Sequence, residues 1–272
     1  MKPILTGICL TISVLLASAG VSWSADYQKG LTAAENGDYV TALREWTALA
    51  EQGDVRAQYN LGQMYRMGQG IPQDDTAAAK WYTLAAEQGY ADAEYNLGQM
   101  YRMGHGVSRD YKIAVKWYTL AAEKGLSFAQ FNLGTMYFAG NGVMQDYEIA
   151  AKWQRLAAEQ GLAIAQNILG LMYFKGNGVP KDYSAALKWY RLSAEQRHGD
   201  AQHNLGLMYA MGEGGVPLND VRAYMWVALG TINGSESGKE VLAMLHGQMT
   251  QSQIEEAQKL AHECAFKEYK GC

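Results

Sequence analysis

The sequence predicts an all-α fold, an α/α superhelical solenoid of tandem helix-turn-helix repeats closed by a C-terminal capping helix. Three observations carry that expectation. The ten residues from Tyr59 to Gly68 recur unchanged from Tyr95 to Gly104, and looser copies begin near 131, 167 and 203. The copies are 36 residues apart, with one inserted residue near Gly215. Within each copy the apolar positions fall at helical rather than strand intervals. A fixed period of this length marks a stacked repeat architecture, in which no unit buries its apolar face alone.

The chain opens differently from the rest. Lys2 precedes an apolar run from Ile4 through Leu16, followed by small residues at Ala17–Gly20 and around Ser24 and Ala25. That order describes a secretory signal peptide over 1–25, cleaved after Ser24 or Ala25, with Ala19 an alternative. A retained anchor is the competing reading, but the run falls short of the roughly 20 residues a span needs. Cys9 follows Ile8, where a lipid-attachment site wants a small residue. Export to the periplasm or the medium is therefore expected, with no stable membrane insertion once the signal is removed.

Residues 26–53 read as a degenerate first helix pair, since Trp46, Leu49, Ala50, Glu51 and Gln52 match the end of a second helix. Repeats follow at 54–89, 90–125, 126–161, 162–198 and 199–232. In the first, Ala57, Leu61, Met64 and Tyr65 make one face of a helix; Ala78, Trp81, Tyr82, Ala85 and Ala86 make one face of a second. Gly68 and Gly70, with their copies, close the first helix, and Asp74, Asp110, Asp146, Asp182 and Asn219 read as N-caps of the second. Gly53, Gly89, Gly125 and Gly161 end the second helix; Arg197 breaks that column, and Gly199 is expected to take over. Gly62 and its copies sit mid-helix, where glycine costs about 1 kcal/mol against alanine. Close helix approach explains them, with alanines facing the gap and the Trp81, Trp117, Trp153, Trp189 and Trp226 column as core. Over 233–272, residues 233–239 are expected as a loop and 250–267 as the capping helix, its start marked by Thr250 and Gln253.

These columns identify a resemblance. The recurring A-x-x-x-L-G-x-M-Y-x-x-G-x-G-V, with D-Y-x-x-A-x-x-W-Y-x-x-A-A-E-x-G, resembles the Sel-one-like repeat, a relative of the tetratricopeptide repeat, over roughly 39–230. The resemblance implies a scaffold or adaptor in the cell envelope whose partner is a protein or peptide. Regulation of a membrane signalling protein, envelope assembly and host contact are all compatible with it. An alternative comes from a cysteine-rich branch of the family, proposed to bind or hydrolyse penicillins. That branch carries a cysteine pair in each repeat, and no cysteine lies between 10 and 263 here.

Composition narrows the classes further. The net charge of −4 speaks against a nucleic-acid binder, which normally shows a basic stripe. His105, His198, His203, His246 and His262 show no metal-ligand spacing and are expected at the surface. The Gly-x-Gly pairs follow helices, so they are turns and not phosphate loops. No catalytic residue, metal or cofactor is expected. In a tetratricopeptide-like stack the first helices line the concave groove. The columns expected to face a partner there include Tyr59, Tyr95, Phe131 and His203; Gln63 and Gln99; and Arg66, Arg102, Phe138 and Phe174. Such a groove offers tyrosine, glutamine and arginine at its N-terminal part and apolar side chains further on. The Asn60, Asn96, Asn132 and Asn204 column is expected to bond to loop backbone. Cys264 and Cys272 could pair in an oxidising compartment, but only if the chain turns near 267–271, because an unbroken helix would hold them roughly 12 Å apart. Intermolecular bonding and free thiols stay open, as does the oligomeric state.

Overall fold

The computed structural model of the protein describes residues 26–272, so the expected signal peptide lies outside the described residues. The described residues form helices and no strand. α1 (Tyr27–Glu35) and α2 (Tyr39–Glu51) make a shortened first pair. Five full pairs follow: α3 (Val55–Met67) with α4 (Asp75–Glu87), α5 (Ala91–Met103) with α6 (Tyr111–Glu123), and α7 (Ser127–Ala139) with α8 (Tyr147–Glu159). They continue with α9 (Ala163–Lys175) and α10 (Tyr183–Ala194), then α11 (Gly199–Met211) and α12 (Asp220–Ile232). α13 (Gly238–Gln248) and α14 (Gln251–Phe266) end the chain. From α1 to α12 each helix packs on its predecessor and successor, and α13 and α14 both pack on α12.

Local chemistry sets the helix ends. Asp74, Asp110, Asp146, Asp182 and Asn219 cap their helices through the side chain, as at Asp74, which accepts from the Ala77 amide at 2.9 Å. The first helix of each full pair ends on a left-handed glycine; Gly68, with φ 66°, lets its amide reach the Met64 carbonyl. Thr250 and Gln253 form the reciprocal capping box at α14.

The mid-helix glycines allow close approach, but tyrosine fills the gap. A Cβ at Gly62 would lie 2.6 Å from the Tyr82 ring, and Gly98 and Gly170 face Tyr118 and Tyr190 in the same way. Gln154 and Val227 take that place opposite Gly134 and Gly206, and Trp46 takes it opposite Gly30. This corrects the expectation for the tryptophan column. Trp81, Trp117, Trp153 and Trp189 are only half-buried, because each sits one position round the helix and leans on the cluster formed by the preceding pair's second helix and its own pair's first helix. Trp226 alone in that column is buried, in a cluster with Leu229 of its own helix and Leu245, Ile254 and Ala257 of the C-terminal cap.

A buried polar seam joins successive pairs. Gln58 donates to the Ala50 carbonyl at 3.2 Å and accepts from Gln88 at 2.7 Å. Gln130 repeats this with Ala122 and Gln160, Gln166 with Ala158 and Gln196, and Gln202 with Ala194 and Asn233. The second repeat departs from the pattern: Glu94 stands in the glutamine place, paired with Lys124.

Two further expectations need correction near the C-terminus. Arg197 itself adopts the left-handed conformation, with φ 65°, after α10. Gly199 instead begins α11, where a side chain would meet the Asn233 and Gly230 carbonyls. The expected loop over 233–239 ends early, since α13 starts at Gly238. At the end of the chain Cys264 and Cys272 are bonded, their Cα atoms 5.6 Å apart. The turn between them carries Glu268 and Tyr269 at positive φ, and Arg222 fixes the Cys272 carbonyl at 2.7 Å.

Candidate protein-interaction surface

The first helices α3, α5, α7, α9 and α11 bury the side toward their own partner and toward the preceding second helix. What remains outward is a face read at i, i+4, i+7 and i+11 from the helix start. In α3 these are Arg56, Asn60, Gln63 and Met67; in α7, Phe128, Asn132, Thr135 and Ala139; in α9, Ile164, Ile168, Leu171 and Lys175.

The predicted partner residues lie at or beside this face, mostly half-buried. Tyr59 rests 5.9 Å from the Tyr82 ring and 5.0 Å from Tyr90, and its hydroxyl accepts from Gln63. Tyr82 donates to the same Gln63 at 2.6 Å. The second repeat copies the arrangement: Gln99 donates to Tyr95, Tyr118 donates to Gln99, and Arg102 donates to both Tyr118 and Gln99. Burial raises the Tyr59, Tyr82 and Tyr118 pKa values, Tyr118 to about 12, so these hydroxyls stay neutral and serve as fixed hydrogen-bonding groups. Polar side chains at the N-terminal part are thus braced by one another.

Further along, the bracing becomes apolar. Phe131 is half-buried, and its carbonyl accepts from Gln154. Phe138 packs edge-on against Tyr147 at 5.0 Å, and Phe174 lies 5.2 Å from Tyr183, so each rests on the first residue of the following helix. His203 is 8% exposed, with Nδ1 lacking a hydrogen-bond partner. This corrects its assignment to the surface and to the groove: α11 is sealed against α12, whose Gly230 admits the His203 backbone. His198 is also not free at the surface, since its side chain caps α11. Burial lowers the pKa of both histidines, opposed by the nearby Asp200.

The asparagine column is likewise corrected. Asn60 donates to the Tyr27 hydroxyl at 3.1 Å and Asn204 to the Asn167 side chain at 2.9 Å, across successive first helices rather than into the loops. Sequence reasoning missed Phe128 and Ile164, which are 51% and 38% exposed. Their signal was present: both stand where the other repeats carry Arg56, Asp92 and Asp200. Among the described residues no group of three or more His, Cys, Asp or Glu side chains could hold a metal ion. No helix among them is long and apolar enough to cross a membrane.

Helix pairs stacked in one direction, with a hydrogen-bonded outer face on the first helices, define an α/α repeat scaffold. The chain belongs to the Sel1 repeat family, whose model matches residues 55–90, 91–126, 127–162, 163–198 and 199–230. It is similar to a Sel1 repeat protein from Oxalobacter formigenes, at 33% identity and a TM-score of 0.79, over 89% of this chain and 99% of that one. It is also similar to a protective antigen of uropathogenic Escherichia coli strains that displays an SLR fold. That match has 31% identity and a TM-score of 0.62, and spans 89% of this chain but 60% of the antigen. No curated protein matches the chain. Sel1 repeat scaffolds generally mediate protein–protein interaction and are generally non-enzymatic.

Proposed function

We propose that the protein is an exported, non-catalytic adaptor that holds a segment of a partner protein along the groove lined by its first helices. The observation that carries this reading is the apolar stretch on α7 and α9. Phe128 and Ile164 are exposed there, and Phe131, Ile168 and Leu171 are half-buried beside them. Exposed apolar side chains grouped on one face favour a partner, and arginine and aromatic residues are preferred anchors. The partner segment accordingly carries acidic groups toward α3 and α5 and apolar side chains toward α9. Signalling control, envelope assembly and host contact each require such a surface. The penicillin-directed alternative draws no support, since both cysteines of the described residues lie in the C-terminal hook and none in a repeat.

The reading is tested by installing a photo-crosslinking phenylalanine analogue at Phe128 and, as control, at the exposed Glu123 of α6, in cells that make the protein. One discrete adduct from position 128, absent from position 123 and weakened by Arg66→Ala with Arg102→Ala, is the expected outcome. Adducts of equal pattern from both positions would remove the groove from the account. Mass spectrometry of the protein's N-terminus checks export; an uncleaved chain confined to the cytoplasm would overturn that part.

A further inference from the structure

We infer that the depression between the end of α5, the following turn and α7 is a carboxylate-binding subsite, an inference that rests on the groove reading above. The depression, about 200 Å³, is lined by Arg102, Arg109, Asn132, Thr135 and Asn141. Arg102 is held in place by neutral acceptors alone, its Nε donating to Tyr118 at 3.3 Å and its Nη2 to Gln99 at 2.9 Å. Arg109 lies against the Tyr111 ring, 5.6 Å from its centroid. Among the described residues neither arginine has a carboxylate within ion-pair distance. Two guanidinium groups therefore share one small concavity without a counter-charge, beside the side-chain amides of Asn132 and Asn141.

The repeat supplies its own controls. One pair earlier, the places of Arg102, Arg109 and Tyr111 are taken by Arg66, Gln73 and Asp75, so one cation remains and an acid takes the place of the tyrosine. One and two pairs later, the arginine place holds Phe138 and Phe174, each packed on a tyrosine ring. The same backbone is thus used four times, and only the junction of α5 and α7 gathers two unpaired cations.

The chemistry of the lining selects the ligand. Guanidinium forks and amide N–H groups donate to a planar pair of oxygens, and one carboxylate satisfies an arginine bidentately. Phe128 lies one turn before Asn132 on α7, half exposed and 6.3 Å from the Tyr95 ring. A carboxylate joined to an apolar side chain matches that neighbourhood, whether it comes from an acidic residue or from a chain terminus.

The test is a heteronuclear NMR titration of the intact exported chain with three probes. These are N-acetyl-aspartate methylamide, N-acetyl-phenylalanine with its free terminal carboxylate, and the neutral N-acetyl-phenylalanine methylamide. Both carboxylates are expected to shift the Arg102 and Arg109 Nε–H and the Asn132 and Asn141 side-chain amides saturably, and their relative affinities show which source the site prefers. Arg109→Gln should weaken that response at least fivefold, and Arg109→Lys should recover part of it. An unsaturable response at the pocket, or one unchanged in Arg109→Gln, would overturn the subsite. If the neutral probe still shifts resonances around Phe128 and Ile164, the groove reading survives that failure; if no probe shifts either region, both fall. Tighter binding of inorganic sulfate than of either carboxylate would overturn the assignment of ligand class.

Discussion

Replacing Lys124 by glutamine, and Glu94 by glutamine, singly and together, probes the polar seam where it departs from its own rule. Glu94 is 1% exposed; one of its oxygens is paired with Lys124, and the other, Oε2, has no hydrogen-bond partner. In the other four repeats the glutamine at this place donates to a carbonyl of the preceding helix, at 3.1–3.2 Å. A carboxylate cannot donate, so the corresponding Ala86 carbonyl loses that bond and Glu94 retains an unsatisfied buried oxygen. Breaking a buried ion pair from one side costs about 3–5 kcal/mol. The Lys124 side chain is 38% exposed, and solvent screening brings the expected cost of Lys124→Gln to about 2 kcal/mol. The double change restores the Gln–Gln arrangement seen at Gln58 with Gln88, adding one hydrogen bond and removing an orphaned acceptor. Its expected gain over the natural chain is about 1 kcal/mol, or roughly 2–4 °C in Tm.

The assay is urea unfolding followed by circular dichroism, on all four chains at one pH and salt. The expected order of stability is Lys124→Gln lowest, then the natural chain, then the double variant, with a coupling of at least about 1 kcal/mol in the cycle. The m-value must stay constant, because loss of cooperativity along a repeat array would mimic a stability change. Additive single effects, or a Lys124→Gln chain within about 0.5 kcal/mol of the natural one, would refute the view that the seam is matched pair by pair.

Gly98→Ala is expected to destabilise by about 1–3 kcal/mol through overpacking against the Tyr118 ring, 2.8 Å from the new carbon. Gly247→Ala, in α13 with open space around it, should instead stabilise by up to about 1 kcal/mol, and thermal melts of the two distinguish packing from propensity. Burial holds the folded-state pKa of His203 below the ordinary 6.5, so the unfolded chain binds that proton more readily. Stability is accordingly full above pH 6.5 and declines as pH falls through it; denaturant midpoints measured from pH 8 to 5.5 should show a shallower fall for His203→Asn. Reducing the Cys264–Cys272 bond opens a loop with a sequence separation of 8 and should cost about 2.5 kcal/mol, read as a lower Tm with reductant that a Cys264→Ser, Cys272→Ser chain no longer shows.

Most of the fold was legible because the repeat states each structural rule several times. One Asp74 before an apolar run suggests a cap; four aspartates and Asn219 at the same place leave little else, and each does cap its helix. Thr250 with Gln253 was equally readable, since a capping box is a local contract between residues three apart. Failures came where a neighbour outside the local window decides. Trp81 and Tyr82 are adjacent on one helix, and propensity cannot say which of them points at Gly62; in the packed pair it is tyrosine. Arg197 holds a left-handed conformation that glycine holds in the earlier repeats, and Gly199 serves instead the close approach of α12 to the start of α11.

The candidate surface was harder to read for the same physical reason. Period and polarity locate the buried side of a first helix, but its outward side is whatever the two flanking helices leave uncovered. A shift of one residue, from Tyr59 to Asn60, turns a side chain by about 100°, enough to move it from a ring stack to a hydrogen bond with the preceding first helix. Tyr59, Gln63 and Tyr82 therefore brace each other, and Phe128 and Ile164 carry the exposure. The arginines divide along the same line. Arg66 and Arg102 occupy one column, yet only Arg102 shares its concavity with a second guanidinium, because Arg109 comes from the turn and not from the helix. On the proposed reading, binding character is set between repeats, where the turn residue of one unit meets the helix face of the next. The turn glycines and capping aspartates are fixed by the fold, whereas a turn residue such as Arg109, which belongs to no core cluster, is free to vary in chemistry while the helices stay in place.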